Sequence, residues 1–514
     1  MELLNEAQRA KVSTSCPESA ISPPEQSPLS HLSQTMSGKN HNDGQRVEPI
    51  SRPAGNTEHS WCRALSQGTG VAVLTLQLSQ AIEIPIFQQA LRKLQDAHPI
   101  LRSKLHYNPS KKAFSFTTPA TSHIQVQSFD ASTTSHLLKN LSEKCGNGFS
   151  ISPLHMIQEN ELNSNAWANP YNFPSSGMDV FLASVYELPG SKWIIALRFH
   201  TGVCDRTTAV TLLRELMELA GDRLEEEAKG GEKPDIGPVK YQEKMQQGIE
   251  DLIPSGMAKK TLWAHGIDVL EYSVNSLRLT NLKFKDVKWP KFSEVARLRM
   301  NPHETNQILV GCKLRGIKLC GALAAAALIA AHSSRSSPDQ RKKYGVLTLT
   351  DCRSILDPPL SPHNFGFYHG AILNSHAVKG GDNLWDLASR CYLAFDNSKK
   401  CNKHFSDMAD LNFLLCRAIE NPSLTASSSL RTSFISVFEE PVIDNSNQIQ
   451  KGVGLDDYLG CASIHGAGPS IAFFDTIRDG KLDCLCVYPS PLHSRAQMEE
   501  LVEKMKAVLV DATY

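Results

Sequence analysis

The sequence has no excess of charge of either sign. Its 514 residues carry 53 Lys and Arg against 53 Asp and Glu, a formal net charge of zero. A balanced chain gives no electrostatic ground for DNA, RNA or an anionic membrane as the main partner, so no nucleic acid is expected. Long apolar runs are missing too. The most apolar stretch, Leu319–Ala331, covers 13 residues, and a bilayer span needs about 20. It fits a buried helix, and no membrane span is expected. The opening residues, MELLNEAQRAK, lack the charged start and apolar middle of a signal peptide. They also carry Glu2 and Glu6, which argue against a transit peptide. The 13 cysteines are odd in number and follow no short repeated spacing, so they read as reduced thiols of a cytoplasmic chain. No internal repeat is visible. Cys401-Asn-Lys-His404 has ligand spacing but no second pair to complete a tetrahedral site, and no metal is expected. Gly68-Thr-Gly70 and Gly466-Ala-Gly468 lack the strand, helix and third glycine of a dinucleotide site, and read as turns or close packing.

What is present is globular composition, 41% hydrophobic and 21% charged, on a chain long enough for two to four domains. Residues 1–58 read as a disordered tail. From residue 12 on they are rich in Ser, Pro, Asn and Gln and cannot bury enough apolar surface to offset ordering entropy. Ser22-Pro23 and Ser27-Pro28 are candidate phosphorylation sites there, beside the plainer reading of an unregulated tail.

A first lobe is expected over 59–225. Val71–Leu78 alternates like a strand, and Ile84–Leu101 carries Ile86, Leu91 and Leu94 at helical spacing before Pro99. Leu105–Phe116 reads as a hairpin turning at Asn108-Pro109-Ser110. Phe181–His200 reads as two strands joined at Pro189-Gly190. Thr207–Gly221 is an amphipathic helix with Gly221 as its C-cap. The charged, Gly-rich stretch that follows marks 226–285 as a linker or insertion. A second lobe covers 286–514, with Arg315–His332 as its central buried helix, a segment Gly345–Leu356 that starts as a strand, and strands at Phe434–Glu440, Ser470–Ile477 and Lys481–Pro489. Asp479-Gly480 is a hairpin turn, and Arg495–Val510 is a closing helix. The fold class is therefore α+β, in two lobes that each layer helices on a sheet.

One motif carries chemistry. Arg-Phe-His200-Thr-Gly-Val-Cys-Asp205 sits where a buried strand runs out into a helix. His at such a strand end suits general-base work near neutral pH. The plain alternative is a satisfied structural His beside a structural Asp. Cys204 reads as a buried, inert thiol, and the Phe365–His369 stretch as core and turn.

His200–Asp205 resembles the HHxxxDG motif of the chloramphenicol acetyltransferase and condensation-domain superfamily. Ala90–Leu105, with its His-Pro-x-Leu-Arg end, resembles a segment near the start of these proteins. Asp351–Gly370 resembles the second-lobe segment in which an Arg precedes a Pro-rich stretch and a Phe-Gly turn. Asp479–Met505 resembles the terminal strand and helix of the alcohol acetyltransferase and mycolipid acyltransferase branches. The resemblance runs from about Trp61 to the end, apart from the linker. It implies two chloramphenicol acetyltransferase-like lobes with a tunnel between them. It also implies acyl-CoA, or a pantetheine thioester, as co-substrate with no bound cofactor, an alcohol or amine as small-molecule acceptor, and a monomer. The motif Asp is structural in that family, which assigns the role to Asp205 with Arg353 as its second-lobe partner. Thr201, Arg353, Gly366 and His369 are the candidate substrate-binding residues.

The sequence departs from the family where it matters most. The family's base is the second His, and that place holds Thr201; Arg206 stands where the family has Gly. A Thr hydroxyl accepts no proton near neutral pH. Two rescues are open: a one-residue bulge that brings His200 into place as candidate base, or a His from across the tunnel, His369 or His465. Without either, the chain is a catalytically impaired descendant that binds a ligand or protein through the same fold. A scaffold that recruits partners through its tail is a third, weaker reading.

Overall fold

The computed structural model describes residues 49–145, 151–229, 247–287, 291–334 and 339–512. The candidate phosphorylation sites of the tail lie outside these residues, as does 230–246 of the expected linker. The tail boundary expected near residue 58 falls inside ordered chain. β1 (Ile50–Pro53) pairs antiparallel with β4 (Ala113–Thr118), and Thr57 and Glu58 are buried. Arg52 meets Glu58 at 2.6 Å. This polar anchor is not visible in a Ser- and Pro-rich composition.

Three sheets carry the fold. A four-stranded sheet has the order β1-β4-β3-β6, with β3 at Lys104–Asn108 and β6 at Met178–Asp179. It contains the expected hairpin. A five-stranded sheet has the order β14-β2-β8-β7-β5, formed by β2 (Thr69–Leu78), β5 (Val126–Phe129), β7 (Phe181–Leu188), β8 (Lys192–His200) and β14 (Leu455–Ile464). β8 lies between β2 and β7, antiparallel to both, and its run Ile194–Leu197 is buried on both faces. That burial explains why the strand reads as continuously apolar rather than alternating.

The seven-stranded sheet of the second lobe joins β9 (Phe292–Arg299), β10 (Lys342–Asp351), β11 (His369–Val378), β12 (Arg431–Phe438), β13 (Val442–Asp444), β15 (Gly468–Arg478) and β16 (Lys481–Ser490). Asp479 and Gly480 both take positive φ in the β15–β16 turn, as a tight hairpin of right-twisted strands demands. The helix Leu319–Ser333 is apolar all round and packs beneath Leu384–Lys400 and Arg495–Asp511, which accounts for its composition. No single helix among the described residues is long and apolar enough to cross a membrane.

Two features depart from the sequence reading. The helix that begins at Arg206 does not stop at Gly221 but runs to Lys229. The residues beyond Gly221 are strong helix formers, and one helical Gly costs only about 1 kcal/mol. The segment expected as a linker holds the helix Leu262–Arg278, pinned by His265 and Tyr272 to Asp410 and Asp407 at 2.7 and 2.5 Å.

The lobes are woven together rather than strung in series. β14 leaves the second-lobe sequence, pairs antiparallel with β2, and the chain then returns as β15 beside β12. A second join covers the edge of β9. Asn163 brackets Ser293, accepting from its N–H at 2.7 Å and donating to its carbonyl at 2.9 Å. Glu159 accepts from Val295 N–H at 2.8 Å and takes Arg495 Nη2 on both oxygens at 2.8 Å. The end of helix Pro153–Asn163 thus satisfies an edge strand with side chains. Burial would raise the Glu159 carboxyl, but His155 and Arg495 hold it below its ordinary value. Removing one partner of such a buried pair leaves the other uncompensated. Arg495→Ala is expected to lower unfolding free energy by roughly 3–5 kcal/mol. Urea denaturation checks this, and an unchanged midpoint refutes it.

Candidate active site

The site forms where β8 ends. The chain passes from His200 into a 3-10 turn, Thr201–Val203, then through extended Cys204 to Asp205 and the helix beginning at Arg206. Asp205 caps that helix, its Oδ1 accepting from Thr208 N–H at 2.9 Å. The same carboxylate meets Arg353 of the second lobe in a two-pronged pair. Arg353 Nη1 donates to Oδ2 at 2.8 Å and Nη2 to Oδ1 at 3.0 Å. Oδ2 also accepts from Tyr368 N–H at 2.9 Å and meets His369 Nδ1 at 3.0 Å. Burial would raise the Asp205 carboxyl, but Arg353 and then His369 hold it far below the usual carboxylate range. Arg353 is fully engaged: Nη1 also reaches Asp351, Nη2 reaches Thr208 Oγ1, and Nε donates to Asn364 O.

Gly366 joins this loop by its backbone. Its carbonyl accepts from Asp205 N–H at 3.1 Å and from Thr208 Oγ1 at 3.1 Å. Its φ is +151°, and a Cβ there would stand 2.6 Å from the Tyr368 ring. Only glycine fits this position.

His200 and Thr201 separate at the turn. His200 has no exposed surface and faces the aromatic interior of the first lobe, edge-on to Trp167 at 5.6 Å and Phe116 at 6.3 Å. Its Nδ1 accepts from Gly202 N–H at 3.0 Å, and its Nε2 is sealed without a partner. Burial pushes its pKa down to about 3. No bulge brings this ring outward. Thr201 donates its hydroxyl proton to Gly70 O at 2.5 Å. Gly70 lies against Trp61, Trp61 against Phe367 at 5.1 Å, and Phe367 against His369 at 6.1 Å.

No protein-family model matches the sequence, and no curated protein matches it. Solved structures do. The trichothecene 15-O-acetyltransferase of Fusarium sporotrichioides superposes with a TM-score of 0.66 at 11% identity, covering 92% of this chain and 97% of its own. The first condensation domain of the CDA synthetase gives 0.60 at 12% identity, covering 90% and 97%. Polyketide synthase associated protein 5 of Mycobacterium tuberculosis gives 0.58 at 14%, covering 90% and 98%. The chain has the two-lobed condensation-domain and acetyltransferase fold. At these identities the likeness is one of fold.

On this condensation-domain-like frame the remaining residues take clear positions. His465 stands apart from Asp205, its Nδ1 3.0 Å from Ser293 Oγ and its ring pressed on Gly68. Burial, then Arg431 and Lys291, lower its pKa to about 4. Arg206 forms an ion pair with Asp475 at 3.0 Å and lies over the Phe438 ring. Cys204 is buried, and burial pushes its thiol up. Among the described residues one carboxylate cluster could hold a cation, Asp268, Asp407 and Asp410. Lys260 Nζ already sits in it, 2.7 Å from Asp407 and 2.8 Å from Asp410. The sequence reading missed Trp61, Phe367 and the Tyr368 amide. Their signal, aromatic residues beside the motif's partners, is no stronger in sequence than ordinary core.

The buried imidazoles set an acid limit on stability. Burial lowers His200 and His493 to about 3, and His376, His404 and His465 to about 4. The unfolded chain protonates its histidines near pH ~6.5, so these groups stabilise the fold above that pH. The contribution is lost as pH falls toward their folded values. His200→Phe is expected to reduce the slope of unfolding free energy against pH, around pH ~5, by about 1.4 kcal/mol per unit. Denaturant titrations over that range measure it, and an unchanged slope contradicts the burial of a neutral ring.

Proposed function

We propose that this chain transfers an acyl group from acyl-CoA, or another pantetheine thioester, to an alcohol or amine between its two lobes. The observation that carries the reading is Asp205, which keeps the motif loop of the first lobe locked to Arg353, Tyr368 and His369 of the second. The fold neighbours add support, since they include a 15-O-acetyltransferase and a condensation domain. CoA acts here as co-substrate, not resident cofactor. One chain supplies both lobes, so a monomer suffices. Eleven cysteines are free thiols, most of them buried, which fits a reducing cytoplasm.

A second reading has its own observation. Thr201 fills the place of the family's base and its proton is committed to Gly70, while His200 is sealed and too weakly basic. On this reading the fold binds a thioester, a small ligand or a protein without turnover.

The purified chain is to be incubated with short and long acyl-CoAs and a panel of alcohols and amines, with release of free CoA thiol as readout. Acceptor-dependent release is expected, and Asp205→Asn should lower it roughly a hundred-fold by loosening the geometry of the site. A wild type that is inert throughout but gains turnover as Thr201→His establishes the second reading instead.

A further inference from the structure

We propose that His369 is the general base of this acyl transfer, supplied by the second lobe in place of the imidazole that Thr201 lacks. The inference rests on the acyltransferase reading above. A general base needs a partner that fixes its tautomer and a ring nitrogen left unbonded for the acceptor. His369 has both. Its Nδ1 lies 3.0 Å from Asp205 Oδ2. Arg353 keeps that carboxylate ionised, so it can only accept, and Nδ1 must carry the proton. The lone pair is thereby placed on Nε2. That nitrogen makes no hydrogen bond among the described residues and is not sealed from solvent, unlike Nε2 of His200.

The ring is also held. It stands edge-on to Phe438 at 5.7 Å and beside Phe367. Through Phe367 and Trp61 it shares an aromatic wall with Gly70 and Thr201 of the first lobe. Four other histidines fail one requirement or another. His200 is sealed, and His404 has both ring nitrogens sealed without partners. His465 leans on Ser293. His98 meets Glu215, but its ring is stacked on Phe365 at 3.7 Å, and Glu215 is shared with His363.

The step balances without a further reagent. Nε2 takes the proton of the acceptor O–H or N–H as the freed electron pair bonds to the thioester carbonyl carbon. Collapse of the tetrahedral adduct breaks the C–S bond, and Nε2–H returns the proton to the departing sulfur. The Nδ1 proton stays on the Asp205 side throughout, and Asp205 stabilises the transient imidazolium as a buried carboxylate does in a hydrolase triad.

The test uses the full chain with the acyl-CoA and acceptor that give the highest wild-type turnover. His369→Gln, which keeps a side-chain N–H for Asp205, should lower kcat/KM by about 10²–10⁴-fold while binding of that acyl-CoA, followed by tryptophan fluorescence, is retained. His369→Ala should recover turnover when free imidazole is added, a response that loss of a purely structural ring does not give. Near-wild-type turnover in His369→Gln overturns the inference and leaves the acyltransferase reading standing. Loss of turnover in both variants without imidazole rescue also overturns it and assigns His369 a structural role. A wild type inert toward every donor overturns both.

Discussion

The structure depends on one carboxylate. Asp205 accepts five hydrogen bonds, from Thr208 N–H, both terminal nitrogens of Arg353, the Tyr368 amide and His369. Each ties a different part of the fold to the same two oxygens. The first starts the helix that follows the motif, the second and third bind the lobes, and the last two fix the beginning of β11. A buried pair of this kind is weak evidence for net stability, because desolvating both charges costs about as much as their attraction returns. It is stronger evidence for register. A helix start, a turn at Gly366 and a strand start cannot shift independently once they share an anion.

The second lobe is held on the other side by a different solution to the same problem. At β9 the join is made by backbone groups of an edge strand, which Asn163, Glu159 and Arg495 satisfy in place of another strand. β14 adds a covalent tether, since the chain must leave one sheet, complete the other and come back. Three joins at separate places leave little freedom for one lobe to rotate on the other. A site assembled from both lobes is therefore held by the same joins that hold the lobes.

Much of this was legible in local sequence, and what was not has a common cause. The hairpin at Asn108–Ser110, the paired strands before His200, the Asp479-Gly480 turn and the closing helix all follow from short-range periodicity and turn chemistry. Arg353 was identified as the partner of Asp205 through the family resemblance, and the geometry agrees. β14 was missed because Asp456, Asp457 and Gly460 weaken its strand character, and its pairing with β2 lies more than 370 residues away in sequence. The start of ordered chain before residue 58 was missed for the same reason, since Ile50–Pro53 gains its order from β4. Gly221 misled because a glycine preceding a charged stretch looks like a helix end, whereas Leu, Glu and Ala beyond it sustain the helix.

The motif shows the same division between local pattern and long-range placement. Read along the chain, His200 and Thr201 look like a damaged pair in which one residue must have taken over from the other. In space they were never exchangeable. His200 is the last inward residue of β8 and packs on Trp167, while Thr201 is the first residue of the turn and bonds to Gly70. Bringing His200 outward would break the β8 register with β2, where it stands opposite Val71, and would empty an aromatic pocket. The fixed point of the site is Asp205, and an imidazole that reaches this carboxylate need not come from the motif strand. The second lobe already presents one, at the first residue of β11, with its nitrogen on the carboxylate and an aromatic wall to hold it. Loss of a base from one lobe is therefore not equivalent to loss of a base from the site.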